Sequence, residues 1–113
     1  MSKPTLKLIR NSEALKAAIS QNDSDFAAAC SLLKWSPKNR KWLSQDVDRV
    51  IKACGLCCYH RECKTCPIYL DGEPCFGRWD FKQSRYAANY EKIKEFHKSA
   101  EAFHCYLKGV LEK

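Results

Sequence analysis

This chain lacks the apolar segments that place a protein in a membrane or carry it through one. None of its apolar runs approaches the roughly 18 residues that span a bilayer. Residues 1–20 are basic but hold no unbroken apolar stretch, so we expect no secretory signal. Without an export signal, eight cysteines, six of them clustered between Cys54 and Cys75, indicate metal ligands in a reducing compartment rather than disulfides. We therefore expect a cytoplasmic protein that does not associate with membranes.

The sequence motifs of common catalytic sites are also missing. The chain has no Walker loop, no GxSxG nucleophile turn, no HExxH motif and no HxE…PCxxC deaminase pattern. A thiolate-rich metal site, as described below, is typically closed and structural, whereas a metal hydrolase needs an open ligand position. The sequence therefore predicts that this protein is not an enzyme.

Glycine and proline are scarce, with four residues of each, and no segment has the pattern of a convincing strand. The 113 residues are expected to form a single domain, mainly α, with about four helices. Residues 1–11 predict an extended arm and residues 12–54 a helical part, in which the third helix spans about 37–54. Apolar residues at steps of three and four predict a long C-terminal helix within 80–113.

The segment 54–79 has no helical period and is predicted to be a loop that something else must order. It contains two CxxC units, Cys54/Cys57 and Cys63/Cys66, which stand close together. Each CxxC lets two thiolates reach one ion, and four thiolates at about 2.3 Å satisfy tetrahedral zinc. The spacing therefore predicts a zinc-binding loop before the long C-terminal helix.

Which four cysteines bind the ion stays open at this point. The five residues between the two units make a short gap compared with the roughly 12 to 20 residues of zinc ribbons, so crowding can exclude Cys63 and recruit Cys75. An iron–sulfur cluster is the alternative cofactor, since Cys66 precedes a proline as in ferredoxin-type runs, although the ferredoxin spacing is absent. The candidate metal ligands are Cys54, Cys57, Cys63, Cys66 and Cys75.

The pattern CxxC…CxxCP…G…C, followed by Trp79 and a long amphipathic helix, resembles a group of small, mostly uncharacterised bacteriophage proteins. The resemblance covers residues 54–79 and extends to the flanking helices in outline. It implies that all five candidate cysteines belong to the shared pattern. It also implies a phage-encoded accessory protein that acts in the cytoplasm of the host cell, and it supplies no defined activity.

Residues 34–42 combine four basic residues and two tryptophans with no acidic residue. Ser36 and Pro37 predict a helix start there, where acidic side chains are usually preferred. Lysine and arginine beside helix amides can hold phosphate, and tryptophans can stack on the bases of a single strand. The alternative, that both tryptophans are core anchors, stays open. The candidate residues for binding nucleic acid or another anion are Lys34, Trp35, Lys38, Arg40, Lys41 and Trp42.

Two functions follow from these observations. The first is a small zinc-stabilised, phage-type protein that binds a host protein or complex and inhibits or redirects it. The alternative is a module that binds DNA or RNA through residues 34–42. A net charge of +7 favours an acidic partner of either kind. The apolar stripe of the last helix fits either a monomer or a homodimer.

Overall fold

The computed structural model describes residues 4–51, 55–60, 66–70 and 89–111. In these ranges the chain is all α, with no strand, and it ends in a long helix, as the sequence predicted. No helix among the described residues is long and apolar enough to cross a membrane. The helices are α1 (Leu6–Ile9), α2 (Ser12–Ser20), α3 (Ser24–Lys34), α4 (Pro37–Leu43), α5 (Val47–Ile51), α6 (Gly55–His60), α7 (Pro67–Leu70) and α8 (Ile93–Leu111), the last preceded by a 3-10 turn at Tyr90–Lys92.

Within 1–11, where the sequence predicts an extended arm, residues 6–9 form α1, and residues 1–3 lie outside the described ranges. The hydroxyl of Thr5 accepts a hydrogen bond from the amide of Leu8 at 3.2 Å and so starts α1. Ile9, at the end of this helix, is buried. Short side-chain caps also start α2 and α3, where Asn11 accepts from the amide of Ala14 and Asp23 accepts from that of Phe26.

The predicted third helix over 37–54 is broken into α4 and α5. The hydroxyl of Ser44 donates to the carbonyl of Lys41 at 2.7 Å, at the residue that caps the end of α4. The carboxylate of Asp46 then accepts from the amide of Asp48 at 2.9 Å and starts α5. Gly55, the residue after the predicted helix, begins α6.

The segment 54–79 is not entirely a loop, because α6 and α7 lie within it. The C-terminal helix was predicted over about 81–111. Its described part agrees from Ile93 to Leu111, and residues 81–88 lie outside the described ranges.

Two clusters of buried side chains hold the helices together. Helix α3 contributes Phe26 and Cys30 to the smaller cluster and ends directly before Trp35 of the larger cluster. α8 supplies almost half of the larger cluster, and Trp35, which directly follows α3, lies at its centre with one ring edge against Phe103. The smaller cluster joins α1, α2 and α3. The larger cluster consists of Trp35, Leu43, Val50, Leu56, Cys66, Phe96, Ala100, Phe103 and Leu107, and the smaller of Ile9, Leu15, Ile19, Phe26 and Cys30.

Candidate functional site

Only part of the predicted metal site lies within the described residues. Cys66 is 7% exposed and packs in the larger cluster, immediately before α7. Cys57 lies on α6, and Cys54, Cys63 and Cys75 fall outside the described ranges. The described residues alone contain no group of three or more His, Cys, Asp or Glu side chains suited to a metal ion. The zinc site therefore stays a prediction.

Helix α3 fastens the backbone on both sides of Cys54. The ammonium of Lys34 donates to the carbonyl oxygen of Val50 at 2.7 Å, and the hydroxyl of Ser31 accepts from the amide of Leu56 at 3.0 Å. Both α3 side chains are almost completely buried. These contacts bind a carbonyl near the end of α5 and an amide at the start of α6, positions at which a helix leaves backbone groups without intrahelical partners. The entry to the cysteine-rich segment is therefore positioned by α3.

The predicted anion-binding residues do not form one surface. Trp35 is 1% exposed and meets Phe103 edge to face, with ring centroids 4.8 Å apart. Lys34 is 2% exposed, and its ammonium lies 5.6 Å from the Trp35 ring centroid. Both side chains are almost completely buried in this structure, which does not favour a direct contact with nucleic acid, and their assignment to an anion-binding site stays a prediction. For Trp35, this burial agrees with the alternative interpretation that the tryptophan is a core anchor.

Arg40 joins α4 to α8. It forms an ion pair with Glu101, and its Nε donates to the carbonyl of Trp35 at 3.3 Å. The hydrogen bond and charge of Arg40 hold the pKa of the Glu101 carboxyl below its usual value. Among the described residues, no group accepts a hydrogen bond from the buried Nη2 of Arg40. Arg40 therefore links α4 to α8 through an ion pair.

Trp42, near the end of α4, is half-buried and lies against two arginines that are outside the basic stretch 34–42. The guanidinium of Arg49 is 4.6 Å from the Trp42 ring centroid, and that of Arg10 is 5.8 Å away. Both distances are within the range of cation–π attraction. We call Arg10, Trp42 and Arg49 the Trp42 cluster.

Neutral oxygen atoms fix both arginines of the Trp42 cluster. One Nη of Arg49 donates to the Trp42 carbonyl and to the side-chain oxygen of Gln45, each at 2.9 Å. Nε of Arg10 donates to Oδ1 of Asn39 at 3.1 Å, and Asn39 is fully buried and donates to the Lys34 carbonyl. Each guanidinium is thus held by one edge.

A cleft of about 200 Å³ opens beside the Trp42 cluster. Its lining carries three cationic side chains and one carboxylate, so its net charge is positive. The lining residues are Ile9, Arg10, Ser12, Lys34, Trp42, Asp48 and Arg49. Lys38 and Lys41, the two remaining predicted residues, are exposed on α4, and Lys38 lies one helical turn before Trp42.

Sequence signals for the two overlooked arginines exist but are weak. Arg49 follows Trp42 by seven positions, a spacing that places two residues on one face of a helix. Arg10 follows the start signal at Thr5, which predicts a short helix rather than an arm.

Compared with known protein families, curated proteins and solved structures, the chain shows no match. The functional argument therefore depends on the chemistry of the residues described above.

Proposed function

We propose that this protein is a small zinc-stabilised binding protein that docks its basic face on an acidic surface of a host protein. The basic face comprises Arg10, Lys38, Lys41 and Arg49 around Trp42. The proposal depends on the burial of Trp35 and on the cations that surround Trp42. Trp35 is buried, and the ring centroid of Trp42 lies 4.6 and 5.8 Å from two guanidiniums, so the face presents positive charge rather than two exposed rings for base stacking.

The resemblance to small bacteriophage proteins supports a host protein as the partner. An acidic protein surface needs only charge complementarity and shape from the basic face. Binding, rather than catalysis, fits a surface whose described functional groups are lysines and arginines.

Zinc enters the proposal as a structural ion. Four of the five candidate cysteines would hold it as thiolates, and it would supply folding free energy to a segment with little core of its own. The burial of Cys66 in the larger cluster supports this role, because a metal ion bound there would join the cysteine-rich segment to the rest of the fold.

The proposal is tested by capture of a partner from bacterial lysate, with and without nuclease treatment. We expect a protein partner that survives nuclease, is lost with Lys38→Glu and Lys41→Glu together, and can be reconstituted with the purified partner. The matched control is Lys94→Glu with Lys98→Glu, two exposed lysines on α8. A double variant on α4 that keeps full affinity for the partner contradicts the proposal.

Binding of DNA or RNA is the second candidate, favoured by the exposed lysines of α4 and the net charge of +7. It predicts that nuclease abolishes capture and that affinity falls steeply with salt. The same capture experiment therefore separates the two functions.

A further inference from the structure

We infer that the cleft beside the Trp42 cluster is a binding site for one compact oxyanion, a carboxylate or a phosphate, presented by the partner. The inference rests on the proposed function and names the chemical group that the basic face recognises. It concerns Arg10 and Arg49, which are separate from the lysines used to test the docking surface.

Among the described residues, neither Arg10 nor Arg49 forms an ion pair with a carboxylate. Arg40 is paired with the carboxylate of Glu101. Within the described ranges, Arg10 and Arg49 instead donate only to neutral oxygens of Asn39, Gln45 and the Trp42 backbone. Bonds to neutral acceptors orient a guanidinium without neutralising it, so an incoming oxyanion gains charge-assisted hydrogen bonds from a group that is already in place.

Both guanidiniums also keep N–H groups that donate to none of the described residues. Nε of Arg10 and one Nη of Arg49 are engaged in the protein, and each guanidinium has further N–H groups on its other side. Both side chains line the cleft and lie against Trp42, whose ring limits the positions that they can adopt. A planar carboxylate or a tetrahedral phosphate matches the fork geometry of arginine.

The size and charge of the cleft limit the ligand to a single group. A volume of about 200 Å³ is below the roughly 300 to 1,000 Å³ of pockets that enclose drug-sized molecules. Asp48 opposes an anion, but the two arginines outweigh it. The buried ammonium of Lys34 already donates to the carbonyl of Val50.

The test is an NMR titration of the full-length zinc-loaded protein with sodium phosphate and, separately, with sodium acetate. Sodium chloride at matched ionic strength is the control. We expect saturable shifts of the Arg10 and Arg49 Nε–H and Trp42 indole signals with at least one oxyanion. Arg49→Gln should weaken binding about tenfold or more, because it removes a charged hydrogen-bonding group. Arg49→Lys should have an intermediate effect, and Lys98→Gln should have none.

A phosphoserine peptide and a glutamate-rich peptide then distinguish the two sources of the oxyanion. Tighter binding of either peptide to the wild type than to Arg49→Gln supports the site and identifies the group. Shifts that chloride reproduces, or that Arg49→Gln and Arg10→Gln leave unchanged while both variants melt as folded proteins, overturn it. The docking proposal is judged separately, by the α4 lysine variants and the captured partner.

Discussion

The ammonium of Lys34 donates a hydrogen bond to the carbonyl oxygen of Val50 at 2.7 Å inside the core. A lysine with 2% of its surface exposed is rare, because removing an ammonium from water is costly unless it is paired. Here the charge is used to hold α5 against α3, directly before the cysteine-rich segment. A residue selected in the sequence as a ligand for nucleic acid is therefore part of the framework.

Replacing Lys34 with methionine should destabilise the protein. Methionine retains much of the side-chain volume but leaves the Val50 carbonyl without its donor, at a cost of about 1 to 3 kcal/mol in unfolding free energy. Urea denaturation measures the change. Lys41→Met, at an exposed position on α4, is the control and should stay within about 0.5 kcal/mol of wild type. Equal stability of the two variants contradicts the structural role of Lys34.

Ser31→Ala should loosen the start of α6. The hydroxyl of Ser31 accepts from the amide of Leu56 at 3.0 Å, and alanine leaves that buried amide unpaired. We expect the hydrogen exchange of the Leu56 amide to accelerate more than that of amides in α8. Ser20→Ala, which removes an exposed hydroxyl that donates to the Ala17 carbonyl, is the matched control and should leave Leu56 protected. An unchanged exchange rate in Ser31→Ala contradicts the assignment.

The pH dependence of stability should reveal the Arg40–Glu101 ion pair. Because Arg40 lowers the pKa of Glu101 in the folded state, the unfolded protein binds more protons at that carboxyl. The resulting stability is fully present above the ordinary pKa of 4.5 and is lost as the pH falls through the lower folded value. The stability difference between wild type and Glu101→Gln should therefore shrink on acidification. In an Arg40→Gln background, Glu101→Gln should show little of this change, because the partner that lowers the pKa of Glu101 is absent.

Local signals in the sequence explain the start of α3 and the described part of α8. The side chain of Asp23 caps α3 by accepting a hydrogen bond from the Phe26 amide, and the apolar period of α8 is unbroken. The break after Leu43 was not predictable from periodicity, because Leu43, Val47 and Val50 continue the helical spacing through it. All three still pack against one core, although they belong to two helices.

The candidate site was harder to predict than the fold because it depends on contacts between distant segments. Composition alone does not distinguish Trp35 from Trp42, which lie at the two ends of one basic stretch. Trp35 is buried in a cluster that includes Phe103 of α8, whereas Trp42 lies against Arg10, which follows α1, and Arg49 of α5. The cysteine pattern, by contrast, indicates a metal without any tertiary information, since two CxxC units are each local.

Substitution of single cysteines should identify the metal ligands. We expect one zinc ion per chain, measured by elemental analysis of the purified protein, and a loss of helical circular dichroism when a strong chelator removes it. Cys54→Ser, Cys57→Ser or Cys66→Ser should each reduce zinc retention sharply, since a serine hydroxyl is a poor zinc ligand. The decisive comparison is between Cys63→Ser and Cys75→Ser. The variant whose cysteine does not bind the ion should retain its zinc.

Cys105, which is exposed on α8, provides the control for those substitutions. Cys105→Ser should keep both the zinc content and the melting temperature of wild type. A brown protein that contains iron instead of zinc would establish the alternative cluster. Full zinc loss with unchanged circular dichroism would contradict the structural role of the metal, because an ion that supplies folding free energy cannot be removed without consequence.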